Sequence, residues 1–286
     1  MDQADEGHAA YNRGDYATAL NLLTPSAAKG NATAQMILGW MYLKGHGVQQ
    51  DFNEASKLFE LSARQGFSRA QYNLGVMYEN GRGVPQDYQK AVTWYQLAAK
   101  QGDAGAQSNL GFMYEEGRGV PQDDKEAVRW YELAAKQGLA DAQFNLGLMY
   151  GEGRGVQQDD NEAFRLYELA AKQGDSDAQF NLCLMYSNGS GVAQDDKEAF
   201  RWCELAAKQG NSIAQLNLAR MYYAGEGVLK NYVRALMWFD LAGFINQDPT
   251  FAEGRDFIAK SMTPAEISKA QELARQCVAK NYKNCD

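Results

Sequence analysis

Few groups in this sequence could do chemistry, and the cysteines come first. Cys183, Cys203, Cys277 and Cys285 make an even set of four. Such a set serves metal binding, thiol redox chemistry or disulfide bonding. No Cys-x-x-Cys pair occurs, and His8 and His46 lie far from the cysteines, so the spacing of a zinc site is missing. The two histidines give no nucleophile–base pair either, and both are expected at the solvent surface. A Gly-x-Gly-Val motif recurs six times, from Gly45-His46-Gly47-Val48 to Gly225-Glu226-Gly227-Val228. A phosphate-binding loop would need Gly-Lys-Ser/Thr after it and a strand before it; neither is present, so the motif reads as a chain reversal. The neighbouring acids Glu115-Glu116, Asp123-Asp124 and Asp159-Asp160 are not catalytic dyads, because adjacent residues on a helix do not face each other. The two aspartate pairs read instead as charge at helix N-termini. No catalytic set, cofactor site or metal site is legible.

What must position these groups is a repeat of 36 residues. Ala-Gln recurs from Ala34-Gln35 through Ala70-Gln71, Ala106-Gln107, Ala142-Gln143 and Ala178-Gln179 to Ala214-Gln215. Leu follows four positions after each Ala, and Met-Tyr follows that, as in Leu74 and Met77-Tyr78. Ala70, Leu74, Met77 and Tyr78 fall at helical spacing and predict a first helix. Ala91, Trp94, Tyr95, Ala98 and Ala99 predict a second. The glycines between them permit positive φ and reverse the chain. Asp87 and its equivalents stand where a carboxylate can cap the second helix. Small residues such as Gly75 and Ala91 let the two helices approach closely. One such pair cannot cover its own apolar faces, so the pairs must stack.

The pattern A-x-x-x-L-G-x-M-Y-x-x-G-x-G-V-x-x-D-x-x-x-A-x-x-W-Y-x-x-A-A resembles the Sel-1-like repeat family, a relative of the tetratricopeptide repeat. The resemblance implies an all-α, right-handed superhelical solenoid of stacked antiparallel helix pairs. Six units are expected over residues 34–69, 70–105, 106–141, 142–177, 178–213 and 214–249. Residues 1–33, with Ala10-Tyr11, Gly14-Asp15-Tyr16 and Ala19-Leu20, read as a tetratricopeptide-like capping pair. Residues 250–286 read as C-terminal capping helices around Met262-Thr263-Pro264, where Thr263, Pro264 and Glu266 spell a helix start with a capping box. Some cysteine-rich members of the family are linked to β-lactam binding or hydrolysis, and Ser26-Ala27-Ala28-Lys29 does fit Ser-x-x-Lys. It lies in the second helix of the cap, and no Ser-Asp-Asn or Lys-Thr-Gly completes such a site. The chain therefore reads as non-enzymatic.

Repeat phase gives the cysteines a meaning. Cys183 takes the place of Gly39, Gly75, Gly111 and Gly147, and Cys203 that of Phe59, Tyr95, Tyr131, Tyr167 and Phe239. In tetratricopeptide-like hairpins those positions face each other, so the resemblance implies a Cys183–Cys203 bond, two buried free thiols being the alternative. Cys277 and Cys285 can close a small loop that ties down the terminus. Two bonds point to an oxidising compartment and a periplasmic or secreted bacterial protein whose leader has been removed, since the opening residues show no signal peptide. A cytoplasmic scaffold is the alternative. The net charge of −8 disfavours nucleic acid and anionic membranes, and no apolar stretch is long enough to span a bilayer.

Tetratricopeptide-type proteins bind extended peptides on the concave face of their first helices. Carried over by repeat phase, that implies a protein or peptide partner, of host or cell envelope, on an otherwise monomeric chain. The groove would be floored by Trp40, Tyr72, Phe112, Phe144 and Phe180 and edged by Glu79, Glu115, Glu116 and Glu152. The column Asn73, Asn109, Asn145, Asn181 and Asn217 is expected to bond the backbone of the neighbouring repeat.

Overall fold

The computed structural model describes residues 2–246, 250–280, 282 and 285. Sixteen α-helices and no strand occur among them. The boundary expected at Pro249 lies outside the described residues. The chain divides into two compact units, residues 1–139 and residues 140–286.

The first unit holds α1 (Gln3–Asn12), α2 (Tyr16–Ala28), α3 (Ala32–Lys44), α4 (Phe52–Arg64), α5 (Ser68–Asn80), α6 (Tyr88–Lys100), α7 (Ala104–Glu116) and α8 (Asp124–Lys136). The second holds α9 (Ala140–Glu152), α10 (Asp160–Lys172), α11 (Ser176–Asn188), α12 (Asp196–Ala207), α13 (Ser212–Ala224), α14 (Tyr232–Asn246), α15 (Thr250–Ala259) and α16 (Pro264–Ala279). Within each unit every helix up to α15 packs on the next, so odd and even helices up to α14 form hairpins and each hairpin leans on the one before, while α16 packs on α14.

Local chemistry sets these limits. Asn31, Asp103, Asp175 and Asn211 cap first helices, each accepting from the backbone N–H three residues on. Asp51, Asp87, Asp123, Asp159 and Asp195 cap second helices in the same manner, as their place in the repeat predicts. The capping box at Thr263 and Glu266 forms as expected.

The two glycines of each turn do different work. Gly81 ends α5 in the left-handed region at φ 65°. Gly83 touches the preceding hairpin: a Cβ there would lie 2.0 Å from the carbonyl oxygen of Phe52. The second glycine thus lets the turn press on the start of the previous second helix, a contact between repeats that the motif alone does not reveal.

Buried glutamines bind one hairpin to the next. Gln71 Nε2 donates to the Ala63 carbonyl at 3.0 Å, and Gln101 Nε2 donates to Gln71 Oε1 at 2.8 Å. The same pair of bonds recurs for Gln35 with Ala27 and Gln65, and for Gln179 with Ala171 and Gln209. Each buried amide is satisfied on both sides, which is what burial of a polar group demands. Gln215 keeps the bond to Ala207, but its Oε1 is buried without a partner among the described residues. The residue thirty places on is Ile245, whose side chain carries no N–H donor. The fixed recurrence of Ala-Gln and Gln-Gly was the available signal, and spacing alone did not say that these residues meet.

Candidate functional site

In four hairpins a Gly–aromatic contact joins the two helices. Gly39, Gly75 and Gly111 lie directly on the rings of Phe59, Tyr95 and Tyr131 in the first unit, and Gly147 lies on Tyr167 in the second. An added Cβ at Gly75 would come within 2.6 Å of the Tyr95 ring. The rings are buried and close-packed. In α11 and α12 the same two positions are joined as the Cys183–Cys203 disulfide, with Cα atoms 5.2 Å apart. Cys277 and Cys285 are also bonded, and no free cysteine remains among the described residues. Arg234 Nη1 holds the Cys285 carbonyl at 2.6 Å, so the terminal loop docks on α14.

In the first unit, Trp40 is half-buried, edge-on to Phe59 with centroids 6.0 Å apart, and Lys44 lies over its outer face. Tyr72 is half-buried between Tyr95 and Gly105 of the next first helix. Phe112 is half-buried with the Arg118 guanidinium 5.0 Å above its ring. The acids have partners of their own. Glu79 accepts from the Tyr95 hydroxyl, which in turn accepts from Asn109 Nδ2 at 3.0 Å. Glu115 accepts from Tyr131 at 2.7 Å, and Glu116 pairs with Arg118 at 3.7 Å. Burial and the adjacent Glu79 carboxylate push the Tyr95 hydroxyl far above its ordinary pKa, so it acts as a fixed donor.

In the second unit, Phe144 packs half-buried against Tyr167 with centroids 5.9 Å apart, and Phe180 is half-buried beside the hairpin core. Glu152 is exposed and pairs with Arg154 at 2.7 Å. Burial, with the nearby Glu152 charge, raises the Tyr167 hydroxyl as well. In this unit Gly151 occupies the place that Glu115 holds in the first.

Two expectations are corrected. Four members of the asparagine column bond elsewhere than to a neighbouring repeat's backbone. Asn73, Asn181 and Asn217 donate to the carbonyls of Arg69, Asp177 and Ile213, four residues back on their own helices, while Asn109 serves Tyr95. For three of these amides their own helix offers a carbonyl within reach, and Asn109 crosses to the preceding hairpin only because the Tyr95 hydroxyl comes out to meet it. His46 is not simply solvent-exposed: it is half-buried, stacked on Tyr16 at 4.5 Å and hydrogen-bonded to the Tyr11 hydroxyl at 3.3 Å. Gly47 presses on Tyr16, which carries the turn onto the α1–α2 pair. His8 is exposed, as expected.

No group of three or more metal-ligating side chains occurs among the described residues, and no described helix is long and apolar enough to cross a membrane. Ser26 is buried in α2, so its hydroxyl does not stand at an open cleft. These features define a helical-hairpin repeat protein.

The Sel1 repeat family model matches residues 32–67, 68–103, 104–139, 140–175, 176–211 and 212–243. The chain belongs to the Sel1 repeat family. Its units begin two residues before the Ala-Gln phase used above. A Sel1 repeat protein from Oxalobacter formigenes is 36% identical, with 85% of this chain and 97% of that one aligned at a TM-score of 0.77. The protein c5321, a protective antigen present in uropathogenic Escherichia coli strains and displaying an SLR fold, is 24% identical; the alignment covers 99% of this chain and 92% of that one at a TM-score of 0.54. No curated protein matches the sequence. Sel1 repeats typically mediate protein–protein interaction, and the two cysteine pairs fit an oxidising compartment.

Proposed function

We propose that this chain is a non-enzymatic, monomeric binding protein of the bacterial periplasm or exterior, which holds a host or envelope protein against the first helices of its repeats. The observation that carries the reading is the half-buried state of Trp40, Tyr72, Phe112, Phe144 and Phe180. Trp40, Tyr72 and Phe144 pack on the rings of Phe59, Tyr95 and Tyr167, which holds each of the three in place while part of it faces solvent. Rigid, partly exposed aromatics are the residues that supply most binding energy at interfaces. In the first unit, Glu79, Glu115 and Glu116 stand on the same first helices as Tyr72 and Phe112 and favour a partner with basic and apolar side chains. Glu79 and Glu115 also hold the tyrosine hydroxyls, so their charge is fixed in place. In the second unit the exposed Glu152, on the same first helix as Phe144, supplies acidic charge.

Two bonded cysteine pairs favour an exported protein over a cytosolic scaffold. The test is capture of an envelope or host partner by crosslinking. Trp40→Ala and Phe112→Ala should each weaken capture at least about tenfold, the equivalent of a hot-spot residue, with helicity unchanged by circular dichroism. Undiminished capture by both variants would remove the first helices of the first unit from the interface. Four titratable thiols in the unfolded native protein, without reductant, would sink the exported reading.

A further inference from the structure

The last hairpin holds a cavity of about 350 Å³, lined by Leu216, Arg220 and Tyr223 of α13, Phe239 of α14, and Phe257 and Ile258 of α15. Its size is at the small end of ligand pockets, enough for one large side chain. Its origin is the loss of the repeat. No seventh first helix follows α14; the ten-residue α15 closes the hairpin instead. Gly254 lets α15 come down on the Phe239 ring, which a Cβ there would meet at 2.4 Å. The Phe257 ring then leans on Tyr223 with centroids 5.5 Å apart, leaving Leu216 and Phe257 partly exposed around the opening.

The wall is mostly apolar: Asn217 also lines it, its amide donating to the Ile213 carbonyl on its own helix, and Arg220 is its one charged member. In the column running Trp40, Val76, Phe112, Leu148, Leu184, Arg220, the sixth residue alone is charged. Arg220 pairs with Glu226 at 3.6 Å, with both side chains well exposed. That separation is long for a charge-assisted hydrogen bond, and an exposed pair of this kind holds its partners weakly. The guanidinium is therefore available to a second carboxylate, which it can bind through two parallel N–H donors.

We propose that this pocket captures the C-terminal residue of a partner polypeptide, its bulky apolar side chain in the cavity and its free carboxylate on Arg220. Arg220 lines the cavity and carries the guanidinium, so the apolar group and the carboxylate of the occupant must lie close together. A chain terminus with an aromatic or branched aliphatic last residue has that arrangement. An internal Asp or Glu beside an apolar residue carries the two groups on different residues and points them apart in extended chain. The site belongs to the second unit and does not depend on Trp40 or Phe112.

The test uses the full chain and a fluorescein-labelled Gly-Ser-Gly-Ser-Phe peptide with a free C-terminus, read by anisotropy. Saturable binding is expected. The C-terminal amide and the Gly-terminated peptide should bind at least about tenfold more weakly, as should the protein variant R220Q, the scale of one lost charge-assisted contact. R220K should fall between R220Q and the parent, because lysine keeps the charge without the fork. Arg220 and Phe257 are exposed, so circular dichroism should show R220Q and F257A folded, with F257A weakened for both carboxylate and amide peptides. Absence of saturable binding, equal binding of the amide, or an unaffected R220Q would overturn the proposal. So would N-acetylphenylalanine displacing the probe at the peptide's own dissociation constant, which would assign the pocket to a small acid. Loss of this site leaves the Trp40 and Phe112 tests untouched.

Discussion

The hairpin α7–α8 in the first unit and the hairpin α11–α12 in the second join their helices at the same two repeat positions with different atoms. In the first, Gly111 makes room for the Tyr131 ring, and the ring's hydroxyl reaches Glu115 at 2.7 Å. In the second, Cys183 and Cys203 are bonded directly, and Ser187 stands in the place of Glu115. The aromatic solution works through volume and one hydrogen bond, so it is sensitive to any change of shape. The disulfide works through a covalent restraint on the unfolded chain and does not require an aromatic filler or a carboxylate. It requires an oxidising environment instead. The family framework thus tolerates two chemistries at one contact, provided both members of the pair change together.

Variants can break or sharpen this comparison. The largest effect is expected from Tyr131→Ala, which empties a fully buried site and strips Glu115 of a donor. Deletions of buried aromatics cost about 3–5 kcal/mol, which should appear as a marked fall in melting temperature. Removing the disulfide as Cys183→Ala with Cys203→Ala should cost about 3 kcal/mol for a loop of this size. The informative variant is Cys183→Gly with Cys203→Tyr, which installs the first unit's contact in the second. It should recover most of the lost melting temperature and become insensitive to dithiothreitol. A double variant no more stable than the alanine pair would show that the two hairpins are not interchangeable.

The smallest effect concerns helix caps. Asp103 and Asp175 cap first helices in the two units with the same bond. Burial, with Asp177 and Asp141 nearby, raises the Asp175 pKa. Its folded value lies above its unfolded one, so its contribution is most favourable below the unfolded carboxylate pKa. That contribution is lost as pH rises through the raised folded value. Asn31 and Asn211 make the same capping bond without a charge. Asp175→Asn should therefore raise the melting temperature slightly at neutral pH, with the gain vanishing toward about pH 3 as Asp175 becomes protonated. An equal gain at both pH values would show that charge is not the cause.

Much of this was legible in the residues. Capping aspartates, glycine turns and helical stripes are local devices, so six repeats and their hairpins follow from a 36-residue period and backbone chemistry. The Cys183–Cys203 pairing was legible through repeat phase and the resemblance to tetratricopeptide-like hairpins, in which those two positions face each other, and the bond is present. The asparagine column was misread because one spacing fits two carbonyls, on its own helix and on the next, and only distance chooses between them. His46 was misread because its neighbours, Tyr11 and Tyr16, stand 35 and 30 residues away.

The sequence by itself determined which segments are helical, where they turn and which faces are apolar, because those depend on interactions within a few residues. Tertiary structure alone decided that the glutamines bridge hairpins, that Glu79 and Glu115 hold buried tyrosines, and that the last hairpin opens into a pocket beneath Arg220. Each of those depends on how closely two helices approach, and at the C-terminal end the repeat that would have set that approach is gone.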